Sequence, residues 1–379
     1  MTEAFPRHAT ALETLQKRGR FRQLMPRAGH DFASNDYLGL AASDVLKQAA
    51  ADALARGVAV GAGGSRLLRG NDVEHGLLEQ EAAAFFGTEA ALFMGGGFNA
   101  NQAIFSTLPQ QGDLVLYDAL IHASTHDGMR LGRAEARRFA HNDVQDATAQ
   151  IADWRASGGE GRIWIAIEAV YSMEGTLGPV AEMAVLAEAT GAVLVVDEAH
   201  ATGVFGDLGR GLAHDIAHRP QVLTLHTCGK GLGVSGALIC GAQILIDTLI
   251  NRARGFIFAT APSPLNAALV RAALQDLAQS PKRQHQAWDK INHAHAEAAR
   301  LCGLKGFQSQ ILPVILGEDQ CTMQVAQALQ GQGFDIRGIR PPTVPRGTSR
   351  LRISLTGSLT MRVITAMFEA LVGELEALK

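Results

Sequence analysis

Cysteine is scarce in this chain: four among 379 residues, at positions 228, 240, 302 and 321. No pair has CxxC spacing and none clusters with histidine, so a zinc module is excluded and no metal site is expected. The four read as reduced structural thiols, in keeping with a cytoplasmic protein. An excess of charge of either sign is also missing. Lys and Arg number 34 against 37 Asp and Glu, a formal net charge of -3. That balance leaves no electrostatic footprint for nucleic acid or an anionic membrane. The single basic cluster, "RLGRAEARR" (130–138), reads as a solvated helix or loop face. Long apolar runs are absent too. "MTEAFPRHATALETLQKRGR" at the start has no apolar core of a signal peptide. "GLGVSGALICGAQILIDTLI" is broken by glycines, Gln243 and Asp247, and makes a poor membrane span. There is no internal repeat, no low-complexity tract and no GxxxxGK[ST] loop, and the glycine segment "GGGFNAN" (95–101) is not GxGxxG, which argues against a Walker-type nucleotide enzyme.

What is present is glycine, 41 residues of it, much of it at the ends of apolar runs, where it suits tight strand-to-helix turns. Short β-rich runs recur: "AALFM" (90–94), "DLVLYD" (113–118), "RIWIAIEAV" (162–170), "AVLVVDEAH" (192–200), "QVLTLHT" (221–227) and "GALICG" (236–241). Several are continuously apolar, as in strands buried on both faces of a parallel sheet. Helical patterns lie between them, at 74–87, 99–108 and 180–191. The alternation predicts an α/β fold. Past about residue 262 two helices, short strands near "ILPVILG" and "RLRISLT", and two further helices predict a smaller α+β lobe. The expected partition is an N-terminal helix and arm (1–44), a large domain (45–275) and a small C-terminal domain (276–379).

Open α/β sheets bind ligands outside the carboxyl ends of their strands. Five such ends carry polar residues here. They are "GGGFNAN" (95–101), His122 after "DLVLYD", Ser172 after "IWIAIEAV", Asp197 and His200 in "DEAH", and Lys230 in "CGKG". Each has a bland alternative when taken alone. The glycines serve as well for a simple turn, Asp197 for a helix cap, either histidine for a packed ring, and Ser172 for a turn residue. Cys228 reads as packing beside the lysine. Lys230 is the sharpest signal. A lysine buried beside glycines loses water, its pKa falls, and the neutral amine is a nucleophile suited to a Schiff base. A glycine cradle for a phosphate, a carboxylate for a ring nitrogen and such a lysine together describe pyridoxal phosphate (PLP) chemistry. His122 is placed to stack on the ring face.

The stretches "SNDYLGL" (34–40), "GAGGSRLLRG" (61–70), "DALIHAS" (118–124), "YSMEG" (171–175), "VDEAHATGVFGDLGRG" (196–211), "TCGKGLGVSG" (227–236) and "RPPTVPRGTSRLRISLT" (340–356) occur in an order that resembles the α-oxoamine synthases. Those are fold-type I PLP-dependent transferases, aspartate aminotransferase-like, with a mostly parallel seven-stranded sheet in the large domain and a smaller α+β C-terminal domain. "RRFAHNDV" (137–144) and the double proline at 341–342 most resemble the branch that condenses L-alanine with a pimeloyl thioester, on CoA or a carrier protein, in biotin biosynthesis. The alternative within the family is glycine with a shorter acyl-CoA.

The resemblance implies residue roles. Lys230 holds the cofactor, Asp197 pairs with its ring nitrogen and His122 stacks on it. His200 and Ser172 lie near the ring hydroxyl, and Gly97, Phe98 and Thr227 hold the phosphate. Thr260 reaches a neighbouring subunit's phosphate, which implies a homodimer with its active site at the subunit interface. Asn35 and Arg352 bind the amino-acid carboxylate, and Arg20 or Arg22 reaches the distal carboxylate of the acyl chain. From the residues alone, the alternating "SRLRIS" makes Arg352 a surface strand residue. "MPRAGHDFASNDYLGL" leaves little room for the β-hairpin common before this motif. Arg66 and Arg69 are open between acyl-CoA contact and the dimer surface.

Overall fold

The computed structural model describes residues 4–378. The first three residues and the last one of the expected partition lie outside them. In chain order the strands are β1 (His30–Asp31), β2 (Ala90–Met94), β3 (Leu114–Asp118), β4 (Glu135–Phe139), β5 (Ile163–Glu168), β6 (Val193–Asp197), β7 (Val222–Thr227), β8 (Ala237–Gly241), β9 (Ile311–Gly317), β10 (Phe334–Asp335), β11 (Arg337–Ile339) and β12 (Ser349–Ser354). Contacts divide the chain into two units. One holds Asn35–Ser172 and Thr176–Trp288; the other holds the chain up to Ser34, Met173–Gly175 and everything from Asp289 onward. These limits differ from the partition at 44 and 275 expected above.

The larger unit is built on seven strands in the order β2-β8-β7-β6-β5-β3-β4. All neighbours are parallel except β8, which runs antiparallel to both β2 and β7. The carboxyl ends of β2, β3, β5, β6 and β7 therefore share one edge of the sheet. Successive side chains of a strand point to opposite faces, and both faces here are covered. Leu92 and Met94 of β2, with Ala237 and Ile239 of β8, pack in one core with Ile104 and Phe105. The intervening Ala91 and Phe93, with Leu238 and Cys240, pack in the other with Leu78, Phe86 and Leu274. Two buried faces explain why these strands read as unbroken apolar runs.

The helices start where the sequence offers caps. Asp72 accepts from the Glu74 N–H and His75 returns a bond to the Asp72 N–H, opening the helix Val73–Phe86. Ser263 and Pro264 open Pro264–Gln279. One expectation needs correction. "RLGRAEARR" is not a single solvated helix or loop face. Its start ends the helix Ala123–Leu131, and Glu135–Phe139 is the edge strand β4, exposed along most of its length. An edge strand tolerates, and benefits from, exposed charge, and this charge hides it from a search for apolar runs.

The smaller unit pairs β11-β12-β9 antiparallel and β1 with β10 parallel. Among the described residues no hairpin precedes "SNDYLGL"; the two residues of β1 instead add to β10, some 300 positions later. Helices Asp319–Gly331 and Met361–Glu376 cover this unit, burying Val325, Leu329, Phe368 and Leu371. Among the described residues no helix is long and apolar enough to cross a membrane, and no group of His, Cys, Asp and Glu is arranged to hold a metal ion.

Candidate active site

At the shared carboxyl edge of the large sheet lies a cavity of about 430 Å3. Asn35, Gly95, Gly96, Gly97, Phe98, His122, Asp197, His200, Thr227 and Lys230 all line it. The sheet order puts β6 and β7 side by side, so Asp197, ending β6, and Thr227, ending β7, arrive as neighbours. Eight of the site residues expected from the sequence, Asn35, Gly97, Phe98, His122, Asp197, His200, Thr227 and Lys230, thus meet at one place.

The glycine segment 95–97 leads into the helix Gly97–Thr107, which has no side chain capping its first turn. Its leading N–H groups and the positive end of its dipole face the cavity, an arrangement that suits a phosphate. Space confirms the need for glycine. A Cβ at Gly97 would come within 2.4 Å of Thr227 Cγ2. The Thr227 hydroxyl lies 3.3 Å from the Ala199 carbonyl.

Asp197 is buried, and both its oxygens are engaged. Oδ1 accepts from the Ala199 N–H at 2.9 Å, and Oδ2 from Asn101 Nδ2 at 2.7 Å. His122 sits at the start of the helix Ala123–Leu131, where its Nδ1 accepts from the Ser124 N–H. Its proton affinity is lowered, first by the surrounding protein mass and also by Lys230, against an opposing pull from Asp197. The Phe98 and His122 rings meet edge-on at 6.5 Å. His200 Nδ1 lies 2.6 Å from the Tyr37 hydroxyl, which donates to Asn35 Oδ1 at 3.0 Å. Lys230 is half-buried, not enclosed as the preceding apolar run suggested, because its side chain opens into the cavity that β7 ends in. Cys228 is fully buried, and desolvation pushes its thiol up, away from a nucleophilic role.

Four candidates lie elsewhere. Ser172 is buried with its N–H donating to Glu168 Oε2 at 3.0 Å, and it is Glu168 that lines the cavity. Thr260 is exposed on the surface of the same unit. Arg352 and Arg20 belong to the smaller unit. Arg352 is 6% exposed and Nη1 donates to Ser354 Oγ at 2.6 Å, which corrects the surface-strand reading of "SRLRIS". Arg20 Nε donates to Asp319 Oδ2 at 2.7 Å. Arg66 is held by both oxygens of Glu79 at 2.9 Å and by Asn71, so it anchors its own loop, whereas Arg69 is exposed.

Sequence reasoning missed Asn101, Ser124 and Glu168. Asn101 and Ser124 lie inside the quoted motifs "GGGFNAN" and "DALIHAS", but a neutral side chain on a helix carries no pattern of its own.

The residue set fits PLP. A cradle that a Cβ would fill, a carboxylate held by two donors and a half-buried lysine facing them are the contacts that a phosphate, a ring N–H and an aldehyde require.

The profile of aminotransferases class I and II matches residues 29–371. An 8-amino-7-oxononanoate synthase of Anaeromyxobacter dehalogenans is 39% identical over 96% of this chain and 94% of its own. A solved 8-amino-7-oxononanoate synthase of Francisella tularensis has a TM-score of 0.75 at 27% identity, over 92% of this chain and 98% of that one. A serine palmitoyltransferase variant of S. paucimobilis, solved with a PLP–myriocin aldimine bound, has a TM-score of 0.89 at 26% identity, over 100% of this chain and 98% of that one.

Proposed function

This chain belongs to the aminotransferase class I and II family, and on that premise we propose that it is a PLP-dependent acyltransferase making 8-amino-7-oxononanoate from L-alanine and a pimeloyl thioester. The near full-length identity with 8-amino-7-oxononanoate synthases supports the reaction. The observation that carries it on this chain is the meeting of Lys230, Asp197 and His122 in one cavity. In the balanced reaction, the α-carbon of alanine forms a bond to the acyl carbon, the thioester C–S bond breaks, and the carboxylate leaves as CO2. The products are the amino ketone, CO2 and the free thiol of CoA or of a carrier protein.

PLP, when bound, supplies an electron sink for the carbanion formed at the alanine α-carbon. Lys230 Nζ would anchor it and, as a free amine, would take the α-proton as general base and return one as general acid. The Asp197 carboxylate would keep a proton on the ring nitrogen. His122 would cover the ring face and His200 would serve the ring hydroxyl, a role the family resemblance also gives to Ser172, behind Glu168. The N–H groups at Gly97 and Phe98, with Thr227, would hold the phosphate. Asn35 lines the cavity, and Arg352 is the guanidinium that the family resemblance assigns to the alanine carboxylate, to which it would offer two parallel hydrogen bonds.

For the acyl chain, a cavity of about 550 Å3 in the smaller unit is lined by Leu12, Leu15, Phe21 and Val344 together with Arg20 and Arg22. Apolar walls with guanidiniums suit a carbon chain ending in a carboxylate. Arg20 is tied to Asp319, and Arg22 donates to Thr343 Oγ1 at 3.3 Å.

A homodimer is supported by exposed apolar residues around Thr260. Val60, Leu67, Leu68 and Phe258 are all at least half exposed. Ser263 Oγ donates to the Val60 carbonyl and the Ala261 N–H to the Gly64 carbonyl, joining the two segments into one patch. Four unpaired thiols fit a reducing compartment such as the cytoplasm.

The deciding experiment is CoA release by the holo-protein with pimeloyl-CoA, supplying L-alanine or glycine in parallel. Preference for alanine is expected. Release only with glycine and a shorter thioester overturns the substrate assignment in favour of a sister reaction.

A further inference from the structure

Asn101 and Ser124 lie in the wall of the cavity, 2% and 0% exposed, and neither belongs to the roles assigned above. Asn101 Nδ2 is 2.7 Å from Asp197 Oδ2 and 3.0 Å from Ser124 Oγ. Ser124 Oγ is in turn 2.7 Å from His122 Nδ1. The three bonds link two helices and the end of β6. Gly128 lets the helices close at this point: a Cβ there would lie 2.9 Å from Phe105 Cβ and 3.0 Å from the Asn101 carbonyl oxygen.

The chain of bonds has a direction. A carboxylate only accepts, so the amide must present its nitrogen to Asp197. The second hydrogen of that nitrogen then goes to Ser124 Oγ. With its oxygen accepting from Asn101, the serine hydroxyl directs its one hydrogen at His122 Nδ1. The Ser124 backbone N–H also points at Nδ1, at 3.2 Å. Two donors aimed at one ring nitrogen require that nitrogen to be bare.

We propose that Asn101 and Ser124 are positioning residues that tie Asp197 to His122, fixing the carboxylate's orientation and holding His122 as the neutral tautomer with its proton on Nε2. The bridge keeps a cation from forming at His122. It also spends the Asn101 side of Asp197 Oδ2 on the protein, which leaves the cavity side of the carboxylate for the cofactor. This goes beyond the reaction proposed above and rests on it only for the identity of the ring that Asp197 and His122 face.

The test is nitrogen NMR of the full-length holo-protein labelled at histidine, with His122→Asn used to assign the signal. The expected result is a bare Nδ1 and a protonated Nε2 for His122. A protonated Nδ1 in the wild type overturns the proposal outright, with no variant needed. Ser124→Ala is expected to shift the tautomer balance and Ser124→Thr to restore it. Asn101→Leu, near in volume, is expected to weaken PLP binding about tenfold and to move the pH dependence of the holo-protein's absorption band. Wild-type signals and an unmoved band in both Asn101→Leu and Ser124→Ala would also overturn it. Failure of the CoA-release assay with pimeloyl-CoA would leave the tautomer result untouched, so the two readings fail separately.

Discussion

Strands β7 and β12 are each six residues long and buried at every position, yet their sequences differ in kind. β7 is "VLTLHT" and β12 is "SRLRIS". The first announces its burial by composition. The second alternates, which normally marks a strand with one wet face. Both faces of β12 are dry because its arginines are supplied with partners. Arg350 donates to Glu174 Oε1 at 3.0 Å and to the Thr348 carbonyl at 3.0 Å, and Arg352 to Ser354. Alternation reports side-chain chemistry, and chemistry reports exposure only when no partner stands opposite.

The comparison can be broken at four points. The largest effect is expected just past the end of β7. Lys230→Ala should lower CoA release by about 10^4-fold or more, while the folded protein still takes up PLP without a covalent link. Measurable turnover in steady-state assays would remove the lysine from its role.

Arg352→Ala on β12 should cost about 100-fold in kcat/KM for alanine, carried mainly by KM, because a charge-assisted contact to a carboxylate is lost. Steady-state kinetics against alanine concentration check this. An unchanged KM would make Arg352 a purely structural charge.

Arg350→Ala, two residues away on the same strand, should act on stability. Removing one member of a largely buried pair leaves Glu174 without its counter-charge. The cost, for a carboxylate one-fifth exposed, is about 2–3 kcal/mol, readable in denaturant midpoints.

The smallest effect is expected from His226 of β7. Burial lowers its pKa to about 3, and it stacks on Phe86 at 3.6 Å between the hydroxyls of Thr202 and Thr224. A group bound neutral in the fold, but protonating near 6.5 in the unfolded chain, makes stability fall as pH drops from about 6.5 toward 3. Its share of the slope is at most about 1.4 kcal/mol per pH unit. His226→Leu should flatten the stability profile between pH 6 and 4, and an unaltered slope would show that the ring is protonated in the fold.

The large sheet was legible from the sequence because burial on both faces writes continuous apolar runs, and "AALFM" marks β2 to the residue. β4 was not, because an edge strand carrying Glu135, Arg137 and Arg138 resembles a solvated surface. Lys230, Asp197 and His122 were legible because strand ends in such sheets collect ligands and these side chains are conspicuous there. Asn101 and Ser124 were not, since their importance lies in which way a hydrogen points, and only packed helices fix that. The burial of Arg352 was hidden from periodicity, because its partner Ser354 Oγ satisfies the guanidinium only in the fold.

The order in which the two units are encoded has a consequence for synthesis. Every residue lining the PLP cavity lies between Asn35 and Gly236, whereas the smaller unit joins the start of the chain to its end through β1 and β10. Domains form in the order they leave the ribosome. The cofactor pocket can therefore assemble while the arm at His30–Asp31, already made, waits for a partner strand, Phe334–Asp335, that is encoded well beyond Gly236.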